Sequence, residues 1–393
     1  MTYSSIFVYP WDVADEGEEH VLRTVKEKIG VSSISIAVTY HAGKFLLPHN
    51  PRRRVYFPED GVLYFRPRAR AFAQSEIKPR VASLVTEKNL LPVVIEKAQR
   101  LGIRITGWMV CLHNSYLGSL YPQYAAQNVY GDRYFFSLCP SHDAVRRYVC
   151  IVLSELLQGQ PLDAVELESL GFMGFRYGFH HEAEGLPLDE GAEFLLSLCF
   201  CEACKKRSLE RGVNGNRLQR DIRTRLDRFL ATSSDPLGSL RETIDGIPGL
   251  SDYLRVRHET VEHFLRQLWE IAQGARTRLI LFTLPDVINW TMGIELPRLG
   301  HLVSAVEVAY YRKATAEMVS TISAVRDVLP RQTELYIALR PSFPDGSSVE
   351  ELKQKVAYGR RAGATGFSFY NYGLIRETDF GWIKVALADG NKD

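Results

Sequence analysis

No stretch of this sequence approaches the roughly 18 uninterrupted apolar residues that a membrane-spanning helix needs. Its beginning, MTYSSIFVYPWD, lacks the basic region and long apolar run of a secretory leader. A cytoplasmic protein is expected. Neither charge sign dominates, since 48 Lys and Arg stand against 46 Asp and Glu, and the balance gives no global reason to bind nucleic acid or membrane. Six cysteines in 393 residues are too few for a secreted disulfide framework. Reduced thiols follow. Internal repeats and low-complexity tracts are absent, and no glycine-rich phosphate loop follows the first strand-like run, where an open dinucleotide-binding sheet would carry one. What is present is apolar mass: 46% hydrophobic and 24% charged residues describe a globular chain with a large core.

That mass is arranged in eight short β-branched and aromatic runs that alternate with helical patterns, at 5–10, 33–40, 104–113, 163–169, 278–284, 304–311, 334–340 and 366–372. Such alternation is the sequence form of βα units, and eight of them predict a single α/β domain over 1–393, a (β/α)8 TIM barrel. Gly30, Gly102 and Gly363 punctuate helix ends, and Ser347 with Glu350 reads as a capping box. Two connections exceed ordinary loops: 41–88 after the second strand, with a small hairpin expected, and 170–277 after the fourth, with several helices. Both should rise from the C-terminal face, where barrel active sites form.

Period-two alternation sorts the strand residues. In the second strand Ile34, Ile36, Val38 and Tyr40 suit the helix layer, which leaves His41 at the barrel mouth. In the fourth, Glu166 and Glu168 point inward with Glu168 at the strand end, and in the seventh Arg340 is placed to pair with either glutamate or to grip a substrate. Further mouth candidates are Trp11, Asp12, His113, Asn114, Asp286, Tyr370 and Asn371, with His181 and Glu182 on a loop folded over the opening. Aromatic rings beside hydrogen-bonding groups suit a sugar, whose ring has apolar faces and a polar rim.

Cys199, Cys201 and Cys204 lie in the run SLCFCEACKKR, and Cys139 lies in a loop before a helix. Three close thiols and a distant fourth match a four-thiolate zinc site. The spacing does not fit a radical-type iron–sulfur motif, and the run is misplaced for a thioredoxin-like pair. A Cys139-Pro140 loop before a helix, then Glu168, then Cys-x-Cys-x-x-Cys resembles glycoside hydrolase family 42, β-galactosidases on a catalytic TIM barrel, over about a third of the chain. The resemblance implies a structural zinc held by Cys139, Cys199, Cys201 and Cys204, and Glu168 as acid/base. Two departures stand out: Leu167 precedes Glu168 where that family has Asn, and the seventh strand ends in Arg340 with no nucleophilic glutamate.

The expected function is therefore a glycoside hydrolase with Glu168 as general acid and a second carboxylate from Asp286, Asp12, Glu182 or Glu307. A carbohydrate-binding barrel without catalysis and a hydrolase with a catalytic zinc are the alternatives. Arg52, Arg53, Arg54, Arg66, Arg68 and Arg70 against Glu59 and Asp60 raise the expectation of an anionic sugar. Carbohydrate is the expected partner, without nucleic acid or membrane, and self-association into a homo-oligomer is left open.

Overall fold

β-Branched and aromatic side chains fit a pleated surface buried on both faces, and each of the eight runs folds as a strand. In the computed structural model, which describes residues 3–177, 182–232, 235–285 and 288–389, they are β1 (Tyr3–Val8), β2 (Ser33–Tyr40), β3 (Arg104–Val110), β4 (Ala164–Glu168), β5 (Arg278–Thr283), β6 (Ala305–Tyr310), β7 (Glu334–Leu339) and β8 (Gly366–Phe369). All pair in parallel with their sequence neighbours, and β1 pairs with both β2 and β8. The sheet is thus closed, a (β/α)8 TIM barrel. Ile34, Ile36, Val38, Val165 and Leu167 face the surrounding helices in one continuous apolar core. Helix Leu90–Leu101 stops at Gly102, whose φ of 70° is left-handed, as the sequence predicts. The cap of helix Val349–Arg361 sits one residue later than the sequence pattern puts it, with Ser348 Oγ accepting from the Glu351 amide.

The insertion after β2 is less of a hairpin than expected. Phe45–Leu46 pairs with Val55–Tyr56, while Val62–Leu63 adds to the barrel sheet beside Thr39 and Tyr40. After β3 the chain makes an antiparallel pair, Ala125–Gln127 with Arg133–Leu138, where the sequence reads as loop. After β4 the short helices Glu190–Leu196 and Glu202–Glu210 precede longer ones, Gly215–Ala231 and Leu250–Gly274. No helix among the described residues is long and apolar enough to cross a membrane.

Inside the ring the side chains form layers. At the N-terminal end Tyr3, Ala164, Ile280, Ala305 and Tyr336 make an apolar floor, with the Tyr3 and Tyr336 rings stacked at 4.1 Å. Gly366 of β8 leaves room for that stack, because a Cβ there would come within 2.6 Å of the Tyr336 ring. The next layer is polar: Ser35 Oγ donates to Glu166 Oε2 at 2.5 Å, and Ser368 Oγ donates to Glu307. Above it Phe7, Ala37, Trp108 and Ala338 close the interior again.

Glu166 and Glu307 are both fully buried, and neither has a cationic partner among the described residues. The ion pair with Arg340 that the sequence allows does not form, because Arg340 binds Asp345 at 2.9 Å. Burial pushes Glu307 up to about 7. Burial first, and the charge of Glu307 second, hold Glu166 well above the usual carboxylate range. Glu307 is therefore an interior acid rather than a mouth residue. Because both groups bind protons more tightly in the folded chain, their contribution is complete below the unfolded value near 4.3 and is lost as pH rises, for Glu307 through about 7 and for Glu166 toward its own raised range. The melting temperature should fall between pH 5.5 and 8, and Glu166→Gln should flatten that slope and raise it at pH 8 by about 2–4 °C. A variant that melts lower than the parent at pH 8 would contradict the buried-acid assignment.

Candidate active site

Glu168 ends β4, and the chain turns sharply after it: Ser169 has a φ of 55°, a left-handed conformation that a residue with a side chain rarely adopts. The turn is held from both sides, with the Leu112 amide donating to the Ser169 carbonyl at 3.2 Å and Ser169 Oγ bonded to the Tyr177 hydroxyl at 2.6 Å. It leaves Glu168 half-buried at the mouth. Trp108 Nε1 of β3 donates to Oε2 at 2.6 Å, and Oε1 has no partner among the described residues. Burial pushes Glu168 up to about 7, and the Trp108 bond opposes that rise. The cause is dehydration rather than repulsion from Glu166. With Oε2 accepting from Trp108, the acidic proton belongs on Oε1.

Aromatic side chains wall this carboxyl. Tyr9 shares hydrogen bonds with Tyr40 at 2.7 Å and with Tyr370 at 2.6 Å, and Tyr311 lies 5.6 Å from the Tyr370 ring. The charge of Glu168 acts on Tyr40, Tyr177, Tyr311 and Tyr370, while burial holds all four phenols above their ordinary range. They are neutral donors and acceptors, not bases. Tyr40 is here because β2 slips its register between Ala37 and Thr39, which turns the ring from the expected helix side to the mouth.

Other candidates fall in different places. His41 and His113 come together on the rim, stacked at 4.0 Å, with Tyr177 edge-on to His113 at 5.2 Å. Arg340 also belongs to the mouth, its guanidinium 4.4 Å from the Tyr311 ring centre. Trp11 and Asp12 do not, because β1 ends at Val8 and helix Pro10–Glu16 carries both behind Tyr9. Trp11 is fully buried and stacks on Tyr9 at 4.1 Å. Asp12 accepts from the Tyr9 amide at 3.0 Å, and burial pushes it up to about 8. Asn114 is consumed as a helix cap, accepting from the Leu117 amide at 2.8 Å, and Asn371 likewise accepts from the Gly373 amide at 2.9 Å. Glu182 is exposed on its loop. His181 and Asp286 lie outside the described residues. Among the described residues, Glu168 is the carboxyl that the strands deliver to the mouth.

Of the arginines of the β2 insertion, Arg53 and Arg68 bind it to the barrel's helices, and Arg54 and Arg66 bond within the insertion itself. Arg53 pairs with Asp15 at 2.7 Å and Arg68 with Glu155 at 2.6 Å. Arg54 donates to the Asn50 carbonyl at 2.6 Å, and Arg66 to the Val85 carbonyl at 2.9 Å.

The four cysteines converge. Cys139 follows strand Arg133–Leu138, and Cys201 precedes helix Glu202–Glu210, whose first turn carries Cys204. From Cys139 Sγ the other sulfurs are 3.7 Å (Cys199), 3.6 Å (Cys201) and 3.5 Å (Cys204) away, and all four are buried. Tetrahedral metal–sulfur bonds of about 2.3 Å require sulfur separations of about 3.8 Å. The cluster can hold a metal ion. The Gln127 amide points at Cys199 Sγ from 3.3 Å, an outer contact of the kind that orients thiolate ligands.

No protein-family profile and no curated protein matches this chain. Among solved structures, it superposes on the glycoside hydrolase domain of PgaB (BpsB) from Bordetella bronchiseptica with a TM-score of 0.62 and 14% identity, covering 99% of this chain and 98% of that one. It has the fold of the TIM-barrel glycoside hydrolases. α-L-Fucosidase isoenzyme 2 from Paenibacillus thiaminolyticus gives a TM-score of 0.59 at 13% identity, over 100% of this chain and 49% of that one. The C-terminal domain of a putative chitinase from Desulfitobacterium hafniense gives 0.50 at 10% identity, over 98% and 99%.

Sequence reasoning missed Trp108, although the parity that aims Glu168 inward also aims Trp108 from the neighbouring strand. Its role can be read without a substrate. Trp108→Phe removes the donor and should move the Glu168 titration, followed by carboxyl NMR, above its parent midpoint. An unchanged midpoint would show that the bond does not set the acidity.

Proposed function

We propose that the protein is a glycoside hydrolase in which Glu168 is the general acid. The observation that carries this reading is the carboxyl itself: it sits at the C-terminal mouth of a glycosidase-type barrel, is held near 7 by burial, and keeps Oε1 open beside aromatic rings. A general acid works best with an acidity near the operating pH, and protonation of the leaving oxygen is the step that glycosidic cleavage needs from it. Trp108 would fix the carboxyl plane, while Tyr370, Tyr40 and the His41–His113 stack would position the sugar. Asp286, which follows β5 in the sequence, is our assignment for the second carboxylate, since Glu307 and Asp12 are buried away from the mouth and Glu182 is exposed on its loop. If the two carboxyls prove to lie about 5–5.5 Å apart the outcome is retention, and at about 6.5–9.5 Å inversion.

We assign zinc to the four thiols, and a structural role to the ion. Thiolates select a soft cation, and four protein ligands leave no open position for water or substrate, which argues against the catalytic-zinc alternative. Zinc there would supply a cross-link between the β3 extension and the β4 insertion. The chain's own residues do the chemistry.

Two outcomes are expected. Glu168→Gln keeps the shape without the proton and should lower turnover of a substrate with a poor leaving group by at least about 100-fold, with little change in binding. A variant that kept most of its turnover would put the acid elsewhere, and a parent that bound sugar without turning it over would favour the binding-barrel reading. Mass spectrometry of metal-replete protein should find about one zinc per chain, lost together with several degrees of thermal stability in Cys204→Ser. Less than half an equivalent in the parent would remove the zinc assignment.

A further inference from the structure

The mouth continues sideways at Tyr370 and Arg340 into an open groove of about 730 Å3. Three connections build it: the start of the β2 insertion, the loop after β7 and the segment after β8. Its chemistry is mixed in an unusual way. Phe343 and Leu46, at 89% and 68% the most exposed large apolar side chains among the described residues, line it together, with Trp382 beside them. Isolated exposed apolar groups are ordinary on a soluble protein, but two in one groove with a tryptophan mark a surface that a ligand covers.

The charges along the groove are unequal. Lys44, Arg340 and Arg376 line it against one carboxylate, Asp379. Asp379 already accepts from the Thr378 hydroxyl at 2.9 Å, and Arg340 shares its charge with Asp345. Lys44 and Arg376 are exposed and have no ion-pair partner among the described residues. This contrasts with the arginines of the β2 insertion, of which Arg53 and Arg68 are tied to carboxylates of the barrel's helices and Arg66 to a carbonyl of the insertion itself.

We propose that this groove is a subsite for an anionic sugar unit, carried on the same chain as the glycosidic bond that meets Glu168. The assignment rests on the glycosidase reading for the position of that bond. The exposed ring of Phe343 and Trp382 would meet the apolar face of the sugar, and Arg376 and Lys44 its carboxylate or sulfate, a charge-assisted contact that neutral sugars cannot make. Continuity through Tyr370 and Arg340 places the anionic unit beyond the reacting one rather than on it. The positive groove thus selects substrate without adding charge next to the acid.

The test is calorimetric binding at low salt with tetragalacturonate, its carboxyl-reduced neutral counterpart and a sulfated neutral tetrasaccharide, on the full chain and on Lys44→Gln/Arg376→Gln. Both positions are exposed, so the double variant should melt as the parent does. At least one anionic probe should bind about tenfold tighter than the neutral one, and the double substitution should erase that ratio while leaving neutral binding within about twofold. The anionic probe that gains tells carboxylate from sulfate. Equal affinities, failure of both anions to bind, or a preference that survives the double substitution would overturn the subsite. Anion preference without any Glu168-dependent cleavage would retain the subsite and remove the hydrolase reading. Glu168-dependent cleavage without anion preference would remove the subsite alone.

Discussion

Closing eight parallel strands into a ring leaves no sheet edge and forces every second side chain into a space from which bulk water is excluded. Charge in that space must be neutralised, hydrogen-bonded or carried to the rim. This chain uses all three. The floor is filled by Tyr3 against Tyr336, and the next layer holds Glu166 and Glu307 on serine hydroxyls as high-affinity acids. One step further along β4 Glu168 reaches the mouth, still dry enough to stay near 7 and wet enough to be met by a ligand. Its acidity is therefore a consequence of barrel closure rather than of a neighbouring charge.

The insertions act on this ring from outside. The β3 extension ends at Cys139 and the β4 insertion contributes Cys199, Cys201 and Cys204, so their sulfurs meet where the two segments already bond through the Phe200 amide to the Gln127 carbonyl and the Tyr134 hydroxyl to the Leu196 carbonyl. Tyr177, between Glu168 and those cysteines in sequence, reaches back to Ser169 and to the edge of His113. A metal ion held by these thiols, as proposed, would brace the segments behind the wall of the mouth without taking part in the chemistry. Beside the β3 extension the β2 insertion is anchored by Arg53 and Arg68 to Asp15 and Glu155, while Lys44 has no ion-pair partner among the described residues.

The barrel was legible because its signal is redundant. Every strand boundary follows from a β-branched or aromatic run, and the observed ends lie within a few residues of the sequence assignment. The cysteine cluster was legible too, since spacing and chemistry coincide. What the sequence hid were departures from regularity. A register slip in β2 brings Tyr40 inward, and nothing in SISIAVTY marks it. β1 ends two residues earlier than its apolar run does, which moves Trp11 and Asp12 off the mouth. Asn114 and Asn371 are polar at strand ends, but backbone amides claim them first. For Arg340 the sequence offers a pair with an interior glutamate or a substrate contact, and the pair is not the one formed, because Asp345, five residues on, takes the guanidinium.

The central claim is that chemistry occurs at Glu168 Oε1, and a structure of Glu168→Gln with a bound oligosaccharide addresses it most directly. The account predicts a glycosidic oxygen within about 2.6–3.2 Å of the side-chain atom replacing Oε1, with the Trp108 contact to the other atom retained. A sugar bound in the mouth with no glycosidic oxygen near residue 168, or bound only outside the mouth, would contradict it.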